Sequence, residues 1–217
     1  MNYFVKFLAV VLSLLLFVQT ALAESEFSDI SESVYKESIG SLGKKDIVEG
    51  YGNGEFRPFQ VINRAELLKI VFKALGQETG EYLEGCFPDV QDEWFVSYIC
   101  KAKELGIVQG YPDGTYKPWQ SVNMVEALKI AIEAFDLPTD ELKENEKWYK
   151  PYVEFAHRNN LFSKFAYVPD RFAKREEVAF LVDEFIKIQK EEKVLSAERN
   201  VKSAGCDLAA APENPPT

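Results

Sequence analysis

Few side chains in this chain of 217 residues could make or break a bond. His157 is the sole histidine, has no cysteine or evident nucleophile near it, and reads as a surface or half-buried residue. Acid pairs such as Asp92 and Glu93 suit an acidic surface, and nothing marks them as a glycosidase dyad. The stretch from Asp113 to Glu126 ends on a glutamate as a calcium loop does. It covers fourteen positions with Pro118 and Trp119 in its middle, however, where an EF-hand loop has about twelve. Cys86 and Cys100 lie close together and Cys206 sits in a polar tail, and no Cys/His cluster has metal-ligand spacing. The first two are either a disulfide, which would persist in an oxidising compartment, or two free thiols; bridge geometry is not legible in a sequence. Cys206 is left over, free or available for an intermolecular bond. Trp94, Trp119 and Trp148 have faces on which a sugar could stack; Trp94 and Trp148 are assigned to core packing, which leaves Trp119. From position alone, Arg64 reads as a solvated first-turn side chain that pairs with an acid such as Glu66. No metal, no cofactor and no catalytic group is expected, so the chemistry left is recognition.

The elements that would position such a surface are repeated. Ile47-Val48-Glu49-Gly50-Tyr51-Gly52-Asn53-Gly54-Glu55-Phe56-Arg57-Pro58 returns sixty positions later as Ile107-Val108-Gln109-Gly110-Tyr111-Pro112-Asp113-Gly114-Thr115-Tyr116-Lys117-Pro118. The same offset relates Ile62-Asn63-Arg64-Ala65-Glu66 to Val122-Asn123-Met124-Val125-Glu126. Self-similarity at a fixed long period means stacked supersecondary units. A third copy is eroded: Trp148 aligns with Trp94, Leu161 with Ile107, Pro169 with Pro58, and Lys174-Arg175-Glu176-Glu177 with Asn63-Arg64-Ala65-Glu66, but the glycine-rich turn is three residues short.

Each unit is expected to be helix, loop, helix. Phe27-Ser28-Asp29-Ile30 and Phe87-Pro88-Asp89-Val90 supply an aspartate able to cap a helix. Trp94, Tyr98, Ala102 and Leu105, flanked by Phe95 and Ile99, follow the i, i+4 spacing of an apolar helical face; Val34, Ser38, Leu42 and Lys45 are the weaker counterparts. Gly50, Gly54, Gly110 and Gly114 allow a tight reversal. Asn63 with Glu66, and Asn123 with Glu126, predict capping boxes, with Ile62 and Leu67, or Val122 and Ala127, at staple positions. Lys174 cannot cap through a side-chain oxygen.

The chain ends carry other signals. Lys6, an apolar run from Phe7 to Val18, and Ala21-Leu22-Ala23 read as a secretory signal over 1–23; an uncleaved anchor is the alternative, but the run is short of the roughly 20 residues of a span. No later stretch is apolar enough to cross a bilayer, so the chain is expected to be exported, without a transmembrane segment after the signal. Net charge is −10, and losing the signal removes one lysine and no acid, leaving 24 basic against 35 acidic residues. Such a field argues against nucleic acid and anionic lipid as partners. The units fall at 24–80, 81–143 and 144–192, and the charged, then Ala/Pro-rich segment 193–217 is expected to be disordered.

The F-x-D opening, the tryptophan-led helix, Gly110-Tyr111-Pro112-Asp113-Gly114-Thr115 with Pro118 behind it, and Ile62-Asn63-Arg64-Ala65-Glu66 together resemble the S-layer homology family, from about Phe27 to Lys190. The resemblance implies a mainly α fold: three repeats in a pseudo-threefold spindle around a central three-helix bundle. It implies a non-catalytic module at the cell wall or cell surface that binds a secondary cell-wall polymer or peptidoglycan-linked glycan, often one bearing a pyruvate ketal. In family members the grooves between repeats take the ligand, with the helix-start arginine and the glycine-rich loop contributing. Carried over, the glycan-binding candidates are Arg64, Arg175, Gly50, Gly54, Gly110, Gly114, Asp113 and Trp119. Met124 stands where repeat 2 would have its arginine, and repeat 3 lacks the loop, so at most two grooves are expected. The alternative is a degenerate scaffold that holds a protein partner through its surface, its tail or Cys206.

Overall fold

The computed structural model describes residues 27–82, 85–163 and 167–207, with side chains as far as residue 199. The signal-like segment, the side chain of Cys206 and the last ten residues lie outside them. The described residues form helices α1 (Lys36–Lys44), α2 (Arg64–Leu75), α3 (Val96–Glu104), α4 (Met124–Ala134), α5 (Lys150–Arg158) and α6 (Arg175–Asp207), with a 3-10 turn at Leu161–Ser163. Among the described residues, pairing between extended residues is limited to isolated bridges, so the fold is mainly α. None of these helices is long and apolar enough to cross a membrane.

The second helix of each of the first two units starts where the sequence predicts. Asn63 Oδ1 accepts from Glu66 N at 2.9 Å while Glu66 accepts from Asn63 N at 3.0 Å; Asn123 and Glu126 repeat this at 2.9 and 3.1 Å. Ile62, Leu67, Val122 and Ala127 are buried beside them. In α6 half of the device survives, because Glu177 accepts from Lys174 N although the Lys174 side chain offers no acceptor and Glu177 N turns to the Lys174 carbonyl at 3.1 Å. Past residue 193, where the sequence reading starts a disordered tail, α6 continues as helix through Asp207. Residues 193–199 are exposed, so tertiary packing does not hold that stretch. Its composition supplies the reason: Lys193-Val194-Leu195-Ser196-Ala197-Glu198-Arg199 has no glycine or proline and mostly good helix formers.

The first helices differ from expectation in frame. Asp29 and Asp89 cap nothing; α1 and α3 begin after Tyr35 and Phe95, with no side-chain cap. The buried stripes are Tyr35, Ile39 and Leu42, and Phe95, Ile99 and Ala102, whereas Val34, Trp94 and Leu105 are exposed. Both stripes satisfy helical spacing, and the core takes the one without the indole. Cys86 and Cys100 are bridged, with Cα atoms 5.5 Å apart, which fastens the opening of the second unit to α3.

Around the three long helix starts the backbone closes a cycle. Ile62 N donates to Ala173 O, Ala173 N to Val122 O, and Val122 N to Ile62 O, at 2.9–3.1 Å. A second cycle repeats it outward: Arg64 N to Gln120 O, Met124 N to Arg171 O, and Arg175 N to Gln60 O. Helices α2, α4 and α6 pack on one another, while α1 packs on α6, α3 on α2 and α5 on α4. Every first helix therefore lies against the second helix of the preceding unit, and the units interlock rather than stand side by side.

One contact across this closure titrates. Ser33 Oγ donates to Glu176 Oε2 at 2.7 Å, and Glu176 is buried. Burial first, and Glu177 beside it, push its carboxyl above the ordinary glutamate value. A raised folded-state value means that this group favours the fold most when protonated, and the contribution is lost as pH rises through and above the ordinary glutamate range. Glu176→Gln keeps the acceptor and removes the charge. Urea midpoints measured from about pH 4 to about pH 7 are expected to decline less in the variant than in the parent.

Candidate functional site

The interlock sets which arginine meets which loop. The helix start of one unit is hydrogen-bonded to the loop exit of the next, so Arg64 passes beneath the turn of unit 2 and Arg175 beneath that of unit 1. Arg64 is 7% exposed; its Nε donates to Tyr116 O at 3.0 Å, and its guanidinium lies 5.0 and 4.5 Å from the ring centres of Tyr111 and Tyr116. Arg175, 6% exposed, donates from Nε to Phe56 O at 2.9 Å and from Nη2 to Glu49 O at 3.2 Å, with the Tyr51 and Phe56 rings at 5.2 and 4.7 Å. Neither is the solvated side chain that position alone suggests. A planar cation between rings and carbonyls is held in one orientation, which a lysine could not reproduce.

The turns over these arginines are built alike. Tyr51 N donates to Glu55 O and Tyr111 N to Thr115 O, closing each reversal. A Cβ on Gly50 would stand 2.8 Å from Glu55 O, and one on Gly110 would stand 2.8 Å from Thr115 O and 2.6 Å from the Phe87 ring. Glycine is required there because the turn's own carbonyl on one side and the Phe27 or Phe87 ring on the other leave no room for a Cβ. Gly54 and Gly114 serve the tips, where φ is +79° and +83°. Asp29 holds the loop exit from below, accepting from Phe56 N and Arg57 N at 2.8 and 2.7 Å; Asp89 accepts from Tyr116 N and Lys117 N at 2.9 and 2.7 Å. Arg57 and Lys117 both sit at φ +59°, a region costly for a side-chain-bearing residue, so the carboxylate stabilises a strained step. Asp89→Ala removes two charge-assisted bonds and is expected to lower stability by about 2–3 kcal/mol, with faster amide exchange at Tyr116 and Lys117. Asp89→Asn should fall between it and the parent.

Each arginine opens on a cavity beside the turn. The first, about 210 Å³, is lined by Arg64, Gln109, Gly110, Tyr111, Glu126, Lys129 and Trp148 among others. The second, about 160 Å³, is lined by Arg175, Glu49, Gly50, Tyr51, Glu66, Lys69 and Trp94. Around the cycle the arginine comes from the unit before the turn and the tryptophan from the unit after it; the other corresponding members are sixty positions apart. Lys129 Nζ lies 5.9 Å from the Trp148 ring and Lys69 Nζ 5.5 Å from the Trp94 ring. An arginine fork, a lysine, a half-exposed indole and a tyrosine around a small cavity suit an anionic sugar: cations for the anion, aromatic faces for the ring.

The third position has neither part. Met124 occupies the arginine's place and is fully buried, and a 3-10 turn at Leu161–Ser163 begins the segment where the glycine-rich loop would be. Both differences fall on one junction, because Met124 N donates to Arg171 O, just behind that turn. Arg171, at the place of Gln60 and Gln120, pairs instead with Glu177 through both oxygens at 3.0 and 2.8 Å.

The predicted residues divide accordingly. Arg64 and Gly110 line one cavity, Arg175 and Gly50 the other. Gly54 and Gly114 line neither. Asp113 is turned inward on its own loop, accepting from Thr115 N and Oγ1 and pairing with Lys117 at 3.0 Å; these bonds hold its carboxyl at about 2. Trp119 is 61% exposed, packs edge-on to Phe95 and to Trp94, and stands behind the Trp94 wall without itself lining either cavity. Trp94 and Trp148, assigned to the core from sequence, are instead 47% and 46% exposed and form cavity walls. His157 is exposed, against Phe162. No group of three His, Cys, Asp or Glu side chains among the described residues could hold a metal ion. Sequence reasoning missed Tyr51, Tyr111, Lys69 and Lys129. A signal for them existed: they remain identical at the sixty-residue offset while neighbours such as Glu49 and Gln109 diverge.

The sequence is similar to those of known surface proteins. The S-layer homology domain family matches residues 26–68 and 87–123. A middle cell wall protein of Brevibacillus brevis is 27% identical over 171 residues, 73% of this chain and 15% of that protein. A surface-layer 125 kDa protein of Lysinibacillus sphaericus is 32% identical over 161 residues, 70% of this chain and 13% of that protein. A cellulosome-anchoring protein of Acetivibrio thermocellus is 28% identical over 109 residues, 48% of this chain and 24% of that protein. The chain thus spans a small part of the length of these relatives.

Proposed function

Because this chain carries S-layer homology domains, matched at residues 26–68 and 87–123, we propose that it is a non-catalytic module that tethers itself to the cell wall by binding an anionic wall glycan. Relatives bear names of the cell wall, the surface layer and cellulosome anchoring, and the reading places this chain at the same surface after export. The observation that carries it is the duplicated cavity in which a buried arginine, a lysine, a tyrosine and a half-exposed tryptophan converge. A carboxylate borne on a sugar, as in a pyruvate ketal, meets those requirements: two oxygens for the guanidinium fork, a ring face for the indole. Residues 144–192 are taken as a third, eroded repeat, supported by the part that Ala173 and Arg175 play in the backbone cycles.

The test is cosedimentation of the protein without residues 1–23 with purified sacculi, before and after chemical removal of the wall polymer. Binding that disappears with the polymer is expected. Equal binding to both preparations, or binding to neither, would overturn the reading.

A further inference from the structure

The two cavities share a plan but not a charge. Beside Arg64, position 109 is a neutral glutamine, and Lys129 pairs with no carboxylate among the described residues; Glu126 accepts from the backbone N–H of Asn123, as Glu66 does from that of Asn63 in the other cavity. Beside Arg175, position 49 is a glutamate. Its Oε2 accepts from Lys69 Nζ at 2.8 Å and its Oε1 from Lys73 Nζ. The guanidinium of Arg175 also has a carboxylate beside it, with Nη1 4.0 Å from Glu66 Oε1. At the position equivalent to Lys73 the other unit has Glu133, which is taken by the Tyr152 hydroxyl.

We infer that the Arg64 cavity is the anion site of this chain, and that Glu49 is an internal carboxylate which occupies the cations of the Arg175 cavity and closes it to an anionic ligand. The inference rests on the wall-glycan reading for the identity of the ligand and on the ion pairs for the asymmetry. A carboxylate entering the Arg64 cavity meets a guanidinium and an uncommitted lysine. One entering the other must displace Glu49 from two lysines, and Glu49 stays ionised at any working pH because those lysines hold its carboxyl at about 2. Position 49/109 is therefore the determinant of how many anionic groups one chain takes.

Two measurements test this, one of them free of the glycan. Titration calorimetry with a methyl hexoside bearing a pyruvate ketal is expected to give one equivalent for the parent, two for Glu49→Gln and none for Gln109→Glu. Two equivalents for the parent, or one for Glu49→Gln, would overturn the inference. In variants that keep only Trp148 or only Trp94, quenching by iodide relative to neutral acrylamide reports the local potential. The ratio is expected to be severalfold higher at Trp148, and to rise at Trp94 when Glu49→Gln is added. Equal ratios would overturn the inference; a clear difference without any ketal binding would support the charge asymmetry and count instead against the wall-glycan reading.

Discussion

Arg64→Lys is expected to reduce retention on intact sacculi by about tenfold or more, the equivalent of roughly 1.4 kcal/mol. Charge is kept in this variant, so the loss reads out the fork: Nε held on Tyr116 O and the plane held between two tyrosine rings. A lysine ammonium presents neither the plane nor two parallel donors. Arg64→Ala should reduce retention further and also destabilise the fold, because Tyr116 O loses its partner. Met124→Ala provides the contrast. Met124 is fully buried at the equivalent helix start, so its truncation should cost about 2–5 kcal/mol of stability and leave the binding of folded protein unchanged. Equal losses of retention in the two variants would remove Arg64 from the site.

Opening the Cys86–Cys100 bridge should produce a large change in stability. It closes a short loop, with the cysteines fourteen positions apart, for which chain-entropy estimates give about 3 kcal/mol. For a domain of this size, that is a fall in Tm of about 6–12 °C. The bridge also has a local task, because the segment it fastens carries Phe87, which packs against Gly110, and Asp89, which holds the Tyr116 and Lys117 amides. Calorimetry with and without a reductant, repeated on a Cys86→Ser, Cys100→Ser double variant, checks it. A change of less than about 1 kcal/mol would show that the reduced chain keeps the same restraint by packing alone.

Much of this molecule is written locally and was legible. The capping boxes at Asn63 and Asn123 need only four residues each to declare themselves, and the sixty-residue offset announces the duplication. The frame of the first helices was harder, because Trp94 and Phe95 begin two apolar stripes of the same period. Spacing does not choose between them; the core accepts a phenyl ring that needs no partner and leaves outside the indole, whose N–H does. Hardest was the pairing of arginine with loop. Within the sequence, Arg64 follows the turn of its own unit, and nothing in the linear order reveals that the backbone cycle passes it to the next. For that reason Met124 and the 3-10 turn at Leu161–Ser163 look unrelated in the sequence, yet the bond from Met124 N to Arg171 O brings their segments to a single junction in space.

The closed circuit of hydrogen bonds has a consequence for how such a protein can wear down. An open stack can lose its terminal member and simply become shorter; a ring of three has no terminal member to lose. Without the segment around Ala173, the amide of Ile62 and the carbonyl of Val122 would both have to turn to water, and the apolar flanks of α2 and α4 would follow. On the proposed reading of residues 144–192 as an eroded repeat, the segment around Ala173 is retained as the keystone, free to drift in its turn but not in its backbone.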